Sequence, residues 1–206
     1  TYMAAAAAVG GDVLIENVIP KHLDCITAKL REIGADITEY DDAIRVESAY
    51  RLHRANVKTM PYPGFPTDAQ APVMAALLRA QGVTVFEETV FADRYRHVPA
   101  LRALGGRIQV SGAIAAVTGV PELHGAAMEA TDLRGGAAMV VGALGAQGTS
   151  RIGSVQHILR GYEDFARRLA ALGATIRMEH ERAECCHGGL YYGLGRTGEG
   201  AQEKAP

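Results

Sequence analysis

Two Thr-Asp pairs, Thr67-Asp68 and Thr131-Asp132, and the arginines Arg94, Arg134 and Arg160 are residue types able to do chemistry on an anionic substrate. A carboxylate fixed in place can take a proton from a hydroxyl, and a guanidinium can grip a phosphate or carboxylate through paired hydrogen bonds. Each residue also has a plainer reading. Aspartate after threonine at the start of an apolar helical stretch is a preferred N-cap, and a lone arginine commonly ends in a surface ion pair. His97, His124 and His157 are isolated from carboxylate or cysteine clusters, so they read as packing or loop histidines. Cys185, Cys186 and His187 adjoin one another, but that spacing does not make a closed tetrahedral site. No metal or cofactor is expected.

The elements that must position these residues come from an internal repeat. The stretch GDVLIENVIPKHLDCITAKLREIGADI from Gly11 returns from Gly82 as GVTVFEETVFADRYRHVPALRALGGRI and from Gly148 as GTSRIGSVQHILRGYEDFARRLAALGATI. Each copy predicts a glycine opening a short alternating strand, then a polar loop, then a helix with apolar residues such as Leu23, Ile26, Leu30 and Ile33 at helical spacing. Gly34, Gly105 and Gly173 close the copies as helix C-caps ahead of a further strand. A second helix entered through Thr-Asp precedes the later two copies, whereas the first has only TYMAAAAAVGG there. The chain is therefore expected to continue upstream of Thr1, and the first repeat to lack its leading strand. Three such units, at about 1–60, 61–125 and 126–179, predict one domain of α/β (α+β) type with its helices packed together. After Glu179 the glycine-rich stretch through 206 shows no periodicity and no counterpart in the repeat, which predicts a disordered or loosely attached tail.

Composition narrows the class. With 21 basic and 23 acidic side chains spread along the chain, no charged footprint for nucleic acid or an anionic membrane surface stands out. The alanine run near the start lacks both the basic flank of a signal peptide and the ~20 apolar residues of a membrane span. Three cysteines fit no disulfide framework, in keeping with a reducing, cytoplasmic setting.

Three segments carry a family resemblance: PYPGFPTDAQAP from Pro61, ETVFADRYRHVPAL around Arg94, and ATDLRGGAAMVVGAL from Ala130 with HILRGYE from His157. In order and separation they resemble the UDP-N-acetylglucosamine 1-carboxyvinyltransferases (enolpyruvyl transferases), over Thr1 to about Glu179. The resemblance implies an inside-out α/β barrel built from three strand-helix-strand-helix repeats, one of two such domains with the active site in the cleft between them. It implies transfer of the enolpyruvyl group of phosphoenolpyruvate to the 3-hydroxyl of UDP-N-acetylglucosamine, with release of phosphate, as the first committed step towards peptidoglycan. Asp68 matches the family's proposed base at the sugar 3-hydroxyl. Arg94 and Arg160 match arginines facing the cleft, with Arg160 on phosphoenolpyruvate itself. Val90 matches a position whose backbone contacts the uridine nucleotide. Asp132 and Arg134, at the second Thr-Asp helix start, are candidates for a further active-site acid and a substrate-binding cation. If these roles hold, the residues converge on one side of the domain.

The sequence departs from the family at Pro72, usually glutamine, at Ala92 and Asp93, usually glutamate and asparagine, and at Gly135 and Gly136, usually alanine and serine. The family's reactive cysteine acid lies outside this sequence, and Cys25, on the apolar face of a helix, matches no active-site motif. The partner implied is the N-terminal half of the same enzyme, without which the chain is expected to be inactive. Two alternatives are a 3-phosphoshikimate 1-carboxyvinyltransferase and a catalytically silent module that binds a nucleotide sugar or a protein.

Overall fold

The computed structural model describes residues 1–48, 51–180 and 190–196. The first unit runs α1 (Tyr2–Val9), β1 (Asp12–Glu16), α2 (Asp24–Glu32), β2 (Ala35–Glu39) and β3 (Ala43–Ser48). The second runs β4 (Val57–Lys58), α3 (Thr67–Ala76), β5 (Val83–Glu87), α4 (Val98–Ala103), β6 (Arg107–Ser111) and β7 (Ile114–Thr118). The third runs β8 (Ala127–Glu129), α5 (Leu133–Leu144), β9 (Gly148–Gly153), α6 (Gln156–Leu159), α7 (Phe165–Ala171), β10 (Ile176–His180) and β11 (Leu190–Arg196).

Each unit folds its own sheet, in the orders β1-β3-β2, β4-β5-β7-β6 and β8-β9-β11-β10. In every case the strand opening the repeat pairs antiparallel with the last strand, which pairs antiparallel with the middle one. The second and third sheets add a leading strand, β4 or β8, parallel to the opening one. Chain turns separate the strands where the repeat glycines require. Gly34, Gly105 and Gly173 follow α2, α4 and α7 with φ of +98°, +95° and +93°, a left-handed conformation that a side chain disfavours.

The expectation of a loosely attached tail is corrected by β11. Leu190–Arg196 insert between β9 and β10, in the place β3 and β7 hold in the other units, and Tyr192 is fully buried opposite Met178 and Ile152. The third unit thus extends to Arg196 rather than ending at Glu179. Cys185, Cys186 and His187 lie outside the described residues.

The core is made by α1, α3 and α5, which pack on one another while the sheets lie outside them. Their sequences, YMAAAAAV, TDAQAPVMAA and LRGGAAMVVGAL, offer almost no polar face beyond the first turn, and a helix apolar all round is stable only when covered. Small side chains let the axes approach; Ala4 to Ala7, Met74, Leu78, Ala137 and Val140 are buried together with Leu101 and Phe86 from the outer elements. Pro72 falls in the second turn of α3, and the helix continues through it to Ala76, leaving the carbonyl of Asp68 without an amide four residues on. Among the described residues no helix is long and apolar enough to cross a membrane.

The Tyr192 ring fills the core, yet its buried hydroxyl has no hydrogen-bond partner among the described residues, and burial pushes its pKa up to about 12. Tyr192→Ala should therefore cost about 3–5 kcal/mol in urea unfolding, the range for emptying a buried aromatic site. Tyr192→Phe should cost nothing, because it removes only an unpaired polar group. A silent Tyr192→Ala would mean that β11 does not seal the third unit in solution.

Candidate active site

The chain approaches α3 through Phe65 and Pro66, and Pro66, at φ −72° and ψ 136°, occupies the N-cap position. Thr67 and Asp68 are thereby already helical, which corrects the expectation that this pair caps the helix. Freed from capping, Thr67 Oγ1 donates to Glu88 Oε2 at 2.9 Å. The Asp68 carboxylate, about half exposed, lies between two guanidinium groups: Oδ1 accepts from Arg94 Nη2 at 2.8 Å and Oδ2 from Arg134 Nη2 at 2.9 Å.

At the start of α5 the expected cap is present. Asp132, extended at φ −159°, accepts through Oδ1 from the backbone N–H groups of Arg134 (3.0 Å) and Gly135 (2.8 Å). Burial pulls its pKa upward, but those two N–H groups together with the Thr131 hydroxyl and the Arg94 charge hold the carboxyl below its ordinary value. The cap also orients Arg134, whose Nη1 donates to the Tyr162 hydroxyl at 3.1 Å, with the guanidinium 5.9 Å from the centre of that ring. Tyr162 in turn stacks on Phe165, with ring centres 4.7 Å apart.

Arg160 precedes Tyr162 by two residues and ends α6. The segment is seated on the start of α5 by close packing. A Cβ on Gly136 would fall 2.6 Å from Ile158 Cγ1, and one on Gly161 would fall 2.8 Å from Leu133 Cδ2. Glycine at 136 is thus what this seating needs. Arg160 is exposed, and its side chain has no hydrogen bond or ion pair among the described residues.

Val90 and Arg94 share the loop between β5 and α4, where Glu88 through Tyr95 with Gly112 and Ala113 line a hollow of about 400 Å³. Arg94 lies 5.4 Å over the Phe91 ring. Asp93 has φ of +60°, a conformation that asparagine and aspartate tolerate better than most residues, so its exchange for the family's asparagine leaves the turn intact. Glu88, buried, accepts through Oε1 from the N–H groups of Val90 (3.0 Å) and Phe91 (3.1 Å).

One connected network therefore contains Asp68, Arg94, Arg134 and, through the α5 cap, Asp132. Val90 joins it by way of Glu88 and Thr67, and Arg160 lies two residues from its Tyr162 end. Counting Arg94, Arg134 and Arg160 against Asp68, Asp132 and the buried Glu88, the charges balance, and Arg160 is the cation left without a carboxylate partner among the described residues, open to an anionic ligand. Glu88 and Tyr162 were not singled out from sequence, and Thr67 only as half of a helix start. Tyr162 lies within the HILRGYE run, and nothing local marks Glu88 beyond its place at the end of an alternating strand. Among the described residues no group of three or more His, Cys, Asp or Glu is placed to hold a metal ion.

The family model for EPSP synthase (3-phosphoshikimate 1-carboxyvinyltransferase) matches residues 1–169. UDP-N-acetylglucosamine 1-carboxyvinyltransferase 2 of Clostridium acetobutylicum is 51% identical over 179 residues, 87% of this chain and 43% of that protein. The chain belongs to the EPSP synthase family, in its UDP-N-acetylglucosamine 1-carboxyvinyltransferase branch. A second member of that branch, from Desulfofundulus thermocisternus, is 49% identical over 85% of this chain and 72% of its own length. The chain spans less than half the length of several curated relatives in the branch. Among solved structures of the family, the enolpyruvyl transferase NikO from Streptomyces tendae superposes with a TM-score of 0.75 at 25% identity, over 84% of this chain and 41% of that one. The EPSP synthase of Acinetobacter baumannii covers 96% of this chain and 46% of its own at a TM-score of 0.66 and 12% identity, a likeness of fold alone.

Behind the site, His97 is almost fully buried, with its Cβ 3.2 Å from where a Cβ on Gly135 would stand. Burial, only partly opposed by the Asp132 charge, lowers its pKa from 6.5 to about 4. As pH falls the unfolded chain therefore takes up this proton before the folded one does. The contribution is complete above about pH 6.5 and is lost progressively down to about pH 4, a fall on the order of 3 kcal/mol at most. Denaturant unfolding at pH 7.5, 5.5 and 4.5 should show this decline, and His97→Met should remove that part of the slope. An unchanged slope in the variant would assign the decline to other groups.

Proposed function

We propose that this chain supplies the phosphoenolpyruvate- and sugar-facing part of a UDP-N-acetylglucosamine 1-carboxyvinyltransferase, the enzyme of the first committed step of peptidoglycan synthesis. The packing of α1, α3 and α5 inside an outer layer of sheets supports reading the domain as the family's inside-out barrel of three repeats. What carries the functional reading is the Asp68 carboxylate held between Arg94 and Arg134, with Arg160, unpaired among the described residues, two positions before the Tyr162 that holds Arg134. The relatives at 45% to 51% identity bear the name of the UDP-sugar enzyme, which favours it over the 3-phosphoshikimate reading.

In the proposed reaction Asp68 takes the proton of the sugar 3-hydroxyl as its oxygen bonds to the central carbon of phosphoenolpyruvate. The arginines neutralise the carboxylate and phosphate, whose charge must be balanced as the phosphate later leaves. Both Asp68 oxygens are engaged by guanidinium groups, so a hydroxyl reaches the carboxylate as the incoming anion takes over donors of Arg94 or Arg134. The methylene carbon also needs a proton. Cys25 on α2 is no candidate for that acid, since no hydrogen bond or ion pair among the described residues joins it to the network. The acid is assigned to the N-terminal half of the enzyme.

Titration of this chain with UDP-N-acetylglucosamine should show weak binding, reduced about tenfold in Asp68→Asn. Phosphate release from the two substrates should stay at background for the chain alone and rise when the N-terminal half is supplied by fusion. In the fused protein Arg160→Ala should lower turnover on the order of 10²-fold or more. Enzyme-like phosphate release by the chain alone, abolished by Cys25→Ser, would overturn the placement of the acid.

A further inference from the structure

Glu88 is a buried carboxylate for which the proposed reaction has no direct use. It is 4% exposed and has no ion pair among the described residues, whereas its neighbour Glu87 pairs with Lys58 at the surface. Burying a carboxylate costs several kcal/mol unless its oxygens are well bonded, so a group kept there without a cation must be held by donors. Its donors fall on two different elements. Oε1 accepts from the Val90 and Phe91 N–H groups of the loop after β5, and Oε2 accepts from the Thr67 hydroxyl in the first turn of α3.

Holding the loop does not by itself require this arrangement. Thr89 already ties it to the end of β4, its N–H donating to Thr59 Oγ1 and its hydroxyl to the Thr59 carbonyl. Tyr95 fastens the far side through its hydroxyl to the carbonyls of Phe86 and Ala113. The loop also reaches α3 through the Arg94–Asp68 pair, but that contact is partly exposed and is one the incoming anion would take over; the arm to Thr67 is a buried link to the residue preceding Asp68.

We propose that Glu88 is a positioning residue for the UDP-sugar, its two oxygens setting the distance between the nucleotide-facing backbone at Val90 and the base Asp68. The proposal rests on the functional reading given above for those two residues. One ligand would span both points, so an error in their separation is felt at both ends. Displacing a reacting group by about 1 Å can cost on the order of 10²-fold in rate.

The two arms separate by mutation. Glu88→Ala should speed hydrogen exchange of the Val90 and Phe91 amides at least about tenfold and weaken UDP-N-acetylglucosamine binding by a similar factor. Glu88→Gln, which keeps an acceptor for the two amides and can donate to Thr67 Oγ1, should recover most of both. Thr67→Val should leave the two amides as protected as in the wild type, lower the unfolding midpoint because Glu88 Oε2 loses its donor, and weaken binding in the direction of Asp68→Asn. Unchanged exchange and binding in Glu88→Ala would overturn the proposal, and so would a Glu88→Gln as impaired as Glu88→Ala. So would wild-type affinity in Thr67→Val. If the wild-type chain binds no UDP-sugar at all, it is the proposed function that falls. The amide pattern across the three variants then still decides whether Glu88 couples the loop to α3, with fast exchange in Glu88→Gln counting against it.

Discussion

The arrangement depends on the burial of α1, α3 and α5 against one another. None of the three has a polar face to give to water, so each must be covered, and the three sheets supply the outer cover while the helices cover each other. That packing places the first turns of α3 and α5 within reach of a single ion pair, Asp68 to Arg134. Residues 66 positions apart in sequence meet because two repeats present equivalent helix starts at the same end of the core.

The polar network built there contributes little to stability. Asp68, Arg94 and Arg134 are a quarter to a half exposed, and ion pairs of that kind are worth about 0–1 kcal/mol each. Asp68 also lies in the first turn of α3 and Asp132 caps α5, where the helix dipoles favour negative charge. The backbone thus holds the Asp132 carboxylate directly, whereas Asp68 is bonded by the arginines. Glu88 differs from both, since it is almost fully buried and its bonding is confined to donors within the domain.

Much of this was legible in the sequence, and the misses have local causes. Gly34, Gly105 and Gly173 could be read as caps because a left-handed residue is a requirement of the backbone, independent of distant partners. The two Thr-Asp pairs could not be told apart by the same rule. Pro66 takes the N-cap position ahead of the first pair and moves Thr67 and Asp68 into the helix, while Ala130-Thr131 leaves the cap to Asp132. β11 was missed because LYYGLGR, interrupted by glycines, shows no clean alternation. Its status as a strand comes from β9 and β10, its neighbours on either side. The candidate residues could be named one by one from motifs, but their connections could not, because Glu88 meets Thr67 and Tyr162 meets Arg134 only once each repeat has folded its loop back onto the start of its own inner helix.

The weakness of the exposed ion pairs is what suits them to the proposed role. A carboxylate locked between two buried arginines would cost several kcal/mol to release, and a sugar hydroxyl could not compete for it. At half exposure the exchange of Arg94 or Arg134 from Asp68 to a phosphate oxygen is nearly even in energy, since one charge-assisted hydrogen bond replaces another. On the proposed reading the anion thereby frees the base at the moment it arrives, and Arg134 does not drift because Tyr162 and the Asp132 cap hold it from behind. Binding of the anion and readiness of the carboxylate then become one event, governed by which partner the guanidinium groups hold.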